Sequence, residues 1–267
     1  MSLVLHCGTK RRSHSQIENS QTPESTDTWH PTPHIMMVNM LEEKLPEHGF
    51  EVTETALSLN DEGTRMFGMM NLSSTHDDYS PVVGFRNAHD KMFSQAICCG
   101  SSVFVCDNLA FSSEIQFRRR HTPNIERDLP GIVDEALSRL DAAQTFQARR
   151  IENYKAVEID DKLAHHILIR AMKQAVFSPS KVAKAVTEWE SPRHPEFEPR
   201  TLWSLFNGVT EILKGGNIWV HANNTQVLHK LFDAVAEEQE EIFLRSIGMS
   251  SQDRINRHLE DGEMYNG

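Results

Sequence analysis

The chain has 267 residues, 39% of them hydrophobic and 24% charged, with 38 acidic against 27 basic side chains and a net charge of −11. That length accommodates one large domain or two small ones with a tail, and the composition is ordinary for a globular protein. The acidic balance argues against a protein that coats duplex nucleic acid with its whole surface, and no run reaches the ~20 apolar residues of a membrane span. The opening MSLVLHC is followed at once by Gly-Thr-Lys-Arg-Arg. It lacks the apolar length of a secretory signal, so a cytoplasmic location without a membrane partner is expected.

Residues 1–33 are rich in Ser, Thr, Gln, Glu and Pro with little apolar periodicity, and are expected to form a disordered or loosely attached arm. The spacing after Pro33 predicts a helix near 34–45, stopped by Pro46 and Gly49. Phe50 to Leu59 partly alternates and passes through the turn signal Asn60-Asp61-Glu62-Gly63 into Arg65 to Leu72, predicting a strand, a turn and a strand. Val82 to Asn87, Met92 to Cys99 and Val103 to Asp107 predict three more strands, the last two separated by a turn at Gly100-Ser101-Ser102, and Ser112 to Phe117 is a candidate sixth. Short connections make the sheet mostly antiparallel. Leu129-Pro130-Gly131 is expected to open a long helix from Ile132 to about Tyr154.

From Glu158 the pattern is helical. Asp160-Asp161 caps a helix through Met172, and Ser178-Pro179-Ser180 opens another through Trp189. Pro192, Pro195 and Pro199 mark a loop, Thr201 to Lys214 is an amphipathic helix stopped by Gly215-Gly216, and Thr225 to Phe243 is the last helix. The expected fold class is α+β: a mostly antiparallel β-meander of about five strands flanked by helices, followed by a helical C-terminal region. The expected divisions are an arm over 1–33, a sheet domain over 34–156, a helical lobe over 157–245 packed on or beside the sheet, and an acidic tail over 246–267.

The block from Tyr79 to Phe111 sets Arg86-Asn87-Ala88-His89-Asp90 and Asp107-Asn108 at the ends of apolar runs, where folds carry contacts. Asn87, His89, Asp90, Asp107 and Asn108 form a polar strand-end cluster whose simplest role is to close turns. His89 and Asp90 would serve as a base and its orienter only with a reacting group in reach. Cys7, Cys98, Cys99 and Cys106 lack CxxC spacing and read as free thiols of a reducing compartment, with the adjacent Cys98 and Cys99 on opposite faces of a strand. His30 and His34 sit in a proline-rich segment without a helical carboxylate, His165-His166 presents its rings to opposite sides of a helix, and no Gly-rich phosphate loop with a following Lys occurs. Neither a metal nor a cofactor is expected, and binding is favoured over catalysis.

Arg118-Arg119-Arg120-His121 and Arg149-Arg150 are basic clusters on this acidic chain. Arg86, Lys91, Arg118, Arg119, Arg120, Arg149 and Arg150 are therefore candidate contacts to the phosphates of a single strand, with Phe85, Phe104 or Phe111 available for base stacking where exposed. This reading needs the cations to converge on one groove. A second reading is an acidic interaction protein that sets Glu237 to Glu241 and Glu260 to Glu263 against a host defence or replication factor. A third is a metal-dependent hydrolase or nuclease built on His89, Asp90 and Asp107.

The WHPTPH run at Trp29 to His34, GFRNAHDK at Gly84 to Lys91, VFVCDNLAF at Val103 to Phe111 and the helix from Trp203 to Lys214 resemble a phage and plasmid-like family, number 932 among the domains of unknown function. The matching stretches span most of 29–214. The resemblance implies a gene of a phage, plasmid or integrated element and carries over no catalytic residue. Where that family often has Arg-Asn-Ser, this chain reads Arg86-Asn87-Ala88. A helix, an antiparallel meander and a long helix are also similar in plan to the Rad fifty-two-type annealing proteins, which bind single-stranded DNA in a groove between sheet and helix, usually as rings. The candidate partners are thus single-stranded nucleic acid, a host protein and further copies of the chain.

Overall fold

A computed structural model describes residues 9–74, 79–103, 108–214 and 218–246. Its centre is one antiparallel sheet: β1 (Lys10–Arg12), β2 (Val52–Leu59), β3 (Arg65–Leu72), β4 (Tyr79–Ala88), β5 (Gln95–Val103) and β6 (Asn108–Arg119), ordered as they occur in the chain. Helices α1 (His14–Glu18) and α2 (His34–Glu47) lie between β1 and β2 in sequence. After β6 come α3 (Ile125–Ser138), α4 (Leu140–Ala156), α5 (Asp161–Lys173), α6 (Val182–Glu190), α7 (Leu202–Leu213) and α8 (Ile218–Ser246). Among the described residues, no helix is long and apolar enough to cross a membrane.

The α+β class, the meander and the helical C-terminal region are as the sequence predicts, with six strands in place of about five. Asn60 makes the β2–β3 turn: its Oδ1 accepts the backbone N–H groups of Thr64 and Arg65, both at 2.8 Å, and Gly63 supplies the left-handed residue at φ 70°. Asp160 caps α5 by accepting the Leu163 N–H at 2.7 Å.

Three expectations are corrected. Residues 9–33 are not a loosely attached arm. Lys10, Arg11 and Arg12 pair with Leu59, Ser58 and Leu57, Ile17 is buried in the core, and Thr32 is fully enclosed. The backbone of β1 satisfies the open edge of β2, which needs no apolar alternation of its own. Gly100, Ser101 and Ser102 do not turn; they continue β5, bonded to Val82, Pro81 and Ser80 on one side and to Phe111, Ala110 and Leu109 on the other. Gly100 sits where the β5–β6 register shifts, the place a glycine takes in a bulge. The part of the expected Val103 to Asp107 strand beyond Val103 lies outside the described residues, as do Gly215-Gly216 and the tail from 247. The expected helix from Ile132 is two helices divided at Arg139, and the first opens earlier, at Ile125. There Glu126 and Asp128 favour the helix N-terminus, and Pro130 lies near enough to it that few backbone bonds are lost.

Two apolar clusters hold the layers together. In one, α2 and α3 cover a face of the sheet, with Met37, Leu41, Leu45, Leu129, Val133 and Leu137 packed on Met66, Met70, Val83, Phe85 and Ile97. The other is the helical lobe, where Phe206, Trp203, Leu205, Leu231 and Phe232 gather around Ile151 and Tyr154 of α4 and Tyr79 of β4. Tyr154 donates to Asp233 at 2.6 Å within this lobe. Asn207, the one asparagine on the apolar face of α7, donates to the Trp203 carbonyl one turn back at 3.0 Å.

Candidate functional site

Every residue of β4 is buried, so strand alternation sends its polar residues into two different environments. Val83, Phe85, Asn87 and then His89 face α2, whereas Arg86 faces the other way. Arg86 pairs with Ala96 on β5, and Ala96 pairs with Arg118 on β6, which places both guanidiniums on the face opposite α2 and α3. Arg86 is only 9% exposed, lies 4.5 Å from the centre of the Phe93 ring, and is pulled down to about 10 by burial and then by the Arg118 charge. Cys98 shares this face and Cys99 the other. Burial holds both thiols protonated, Cys98 pushed up to about 12 and Cys99 well above its usual value.

On the α2 side, at the end of the sheet marked by His89, the carbonyl of Thr32 receives two side chains of β4 and the turn after it. Asn87 Nδ2 donates to it at 2.9 Å and His89 Nε2 at 2.8 Å. With the Asn87 amide so oriented, its Oδ1 accepts from His121 Nε2 at 2.7 Å, and His34 Nε2 donates to the Gly63 carbonyl at 3.2 Å. The His34 and His89 rings stack 3.7 Å apart and 6° from parallel. Burial above all, then the neighbouring His89, lowers His34 to about 3 and His121 to about 4; burial also lowers His89. These three rings are neutral at physiological pH and act as hydrogen-bonding walls. They fasten the Trp29 to His34 segment to the end of β4.

Cations of the turn after β4 and of the end of β6 lie at this same end of the sheet. Lys91 occupies the turn after β4 in the left-handed region, at φ 63°, with its Nζ 4.7 Å above the half-buried Trp29 ring, which in turn tilts against His121 at 6.4 Å. Arg118 and Arg120 are exposed at the end of β6. Arg119, on the other face from Arg118, pairs with Asp128, which also accepts Arg127. Asp90 is taken by Arg65 and by the Met92 N–H, so it does not orient His89.

The remaining candidates lie elsewhere. Arg150 donates to Asp233 at 3.1 Å and to Gln147 at 3.0 Å inside the helical lobe, and Arg149 lines a cavity at the Tyr79 end of the sheet. Asn108 is at that end too, paired with Val103; its side chain, like Asp107, Phe104 and the side chain of Phe111, is outside what the structure describes. Phe85 is a core residue lying on Gly68, and so offers no stacking face. Among the described residues, no three His, Cys, Asp or Glu side chains gather as a metal site. Of the glutamates of α8, Glu238 faces Arg170 and Glu241 faces Arg245, which interrupts the acidic face.

The seven cations therefore do not form one groove. Arg86, Lys91, Arg118, Arg119 and Arg120 share the His89 end, and Arg149 and Arg150 do not reach it. Thr32 and Phe93 belong to this end without having been singled out from sequence, and Trp29 and His34 belong to it although the sequence offered them only as part of the WHPTPH run and, for His34, as a metal ligand set aside; the signal available was the density of rings and histidines in Trp29 to His34.

Neither a curated protein nor a solved structure matches this chain. The family model described as "Domain of unknown function (DUF932)" matches residues 24–257, a span that holds both the cage and the helical lobe, and the chain belongs to that family.

Proposed function

We propose that the chain binds single-stranded nucleic acid without catalysing a reaction, in recombination or replication of a phage- or plasmid-like element, through the cations at the His89 end of its sheet in place of one groove that gathers all seven. The observation that carries this reading is that one end of the sheet holds Lys91 over the half-buried Trp29 ring beside the cage and, on the other face, Arg118 with Arg86 against the half-buried Phe93 ring, with Arg120 exposed just beyond β6. Phosphates need cations and unpaired bases need flat faces, and this end of the sheet offers both. Three carboxylates at this end are already engaged, Asp61 by Lys10 and Arg12, Asp90 by Arg65 and Asp128 by Arg119 and Arg127. Lys91 and Arg120 have no ion pair among the described residues. A localised patch also reconciles strand binding with a net charge of −11, because only the local field acts within a Debye length.

The test is fluorescence anisotropy with labelled single-stranded and double-stranded oligonucleotides over a salt series. Salt-sensitive binding, stronger for the single strand, is expected. Arg118→Ala with Arg120→Ala should weaken it and flatten the salt slope by about 0.7 for each phosphate that the variant no longer neutralises. Lys91→Gly should weaken it with no fall in Tm, since glycine accepts the left-handed backbone that lysine adopts there at a cost. Lys184→Ala, on the exposed side of α6, serves as the remote control. Absence of binding at low salt, or equal affinity in all variants, would overturn the reading.

A further inference from the structure

At the opposite end of the sheet, β4 and β5 do not close against α4. The opposed residues are small, Ala143 on α4 and Gly100 on β5, and a cavity of about 370 Å³ remains between the layers. This is within the usual range of small-molecule pockets, about 300–1,000 Å³. Tyr79 of β4, Ser73, Asp141 and, from α4, Arg149 line it. One further lining group is out of balance: the Nε2 of Gln144 is buried and has no hydrogen-bond partner. A buried amide donor left unmade costs about 1–3 kcal/mol, so native structures seldom carry one without a group that accepts it. Arg149 is exposed and makes no ion pair among the described residues.

We propose that this cavity binds a flat, hydrogen-bonding ring that carries an anionic group, the chemistry of a nucleoside monophosphate. Arg149 takes the anion, the Gln144 amide donates to a ring acceptor, the Tyr79 side supplies an apolar surface, and Asp141 or Ser73 receives a ring donor. The ligand is either a free nucleotide or the phosphorylated end of a strand, since both present the same group. The proposal is independent of the strand-binding reading: it uses other residues, at the other end of the sheet.

Isothermal titration of the full chain with adenosine and uridine monophosphates, adenosine and inorganic phosphate tests it. At least one monophosphate should bind, with adenosine and phosphate alone each weaker by about tenfold or more. Arg149→Ala and Gln144→Leu should each weaken the monophosphate by about tenfold, while far-ultraviolet circular dichroism and Tm show that Arg149→Ala remains folded. A 5′-phosphorylated oligonucleotide that displaces the monophosphate assigns the site to strand ends, and one that does not assigns it to free nucleotide. No monophosphate binding at millimolar concentration, or binding unchanged in both variants, overturns the proposal. Lys91→Gly should leave monophosphate affinity intact, so the two sites can fail separately.

Discussion

Between pH 7.5 and pH 5.5 the chain is expected to lose about 3 kcal/mol or more of unfolding free energy, a larger acid effect than its carboxylates can produce in that window. Three buried histidines carry it. Burial first, and then a neighbouring charge, lowers His34 to about 3, His121 to about 4 and His229 well below the usual histidine value. Above about pH 6.5 these rings are neutral in both the folded and the unfolded chain, and they contribute no pH dependence. As pH falls through that value the unfolded chain takes up protons that the folded chain refuses. Stability then drops by about 1.4 kcal/mol per histidine per pH unit until the folded pKa is approached.

The carboxylates act lower on the scale. Hydrogen bonds from Lys10, Arg127 and Lys44 hold Asp61, Asp128 and Asp134 below the ordinary aspartate range. Urea denaturation at three pH values checks the prediction. His34→Phe keeps a ring against His89 and should reduce the loss between pH 6.5 and 5.5 by about 1 kcal/mol, one histidine's share over that unit. A profile flat from pH 7.5 to 5.5 would refute it.

Gly68→Ala should be the most damaging single methyl group that can be added to the sheet. Gly68 on β3 pairs with Phe85 on β4, and the Phe85 ring lies across its backbone. A Cβ at position 68 would stand 2.1 Å from a ring carbon. The ring has nowhere to go, because Met66, Met70 and Val83 are fully buried in the same cluster. A loss of about 3 kcal/mol or more is expected, with Tm lower by about 6–12 °C. Combining Gly68→Ala with Phe85→Leu should recover part of that loss, since the smaller side chain vacates the space. A single variant melting within about 2 °C of wild type would show that the sheet relaxes more readily than its packing allows.

The sequence was most readable where the cause of structure is local. The Asn60 to Gly63 turn, the Asp160 cap and the apolar period of Thr201 to Lys214 each carry their own instructions, and each was found where expected. It was least readable where a distant partner decides. Lys10 to Arg12 has no strand pattern; it is extended because β2 has an edge to complete. Gly100-Ser101-Ser102 has a turn's composition, yet neighbours on both sides hold it in β5.

The candidate site divides in the same way. Period-two alternation already separates Arg86 from Asn87 onto opposite faces of β4. That Asn87 and His89 would close on Thr32, more than fifty residues away, follows only from the path of the chain after α1. Arg118 and Arg119 were equivalent as adjacent letters, but the sheet sends one to a surface with Arg86 and the other to an aspartate.

The neighbour-to-neighbour order of the sheet also sets how the molecule can be assembled as it is synthesised. Four of its strand pairings, β2 with β3 through β5 with β6, join segments that follow each other over a few residues. Each hairpin can form soon after its second strand leaves the ribosome, at little loop-closure cost. The exception is the first strand made. β1 must wait through residues 13–51 for β2, and the Thr32 latch must wait longer, until β4 and its following turn exist. The segment that holds β1 and Thr32 thus leaves the ribosome well before the partners that secure it, an interval in which it is open to another molecule.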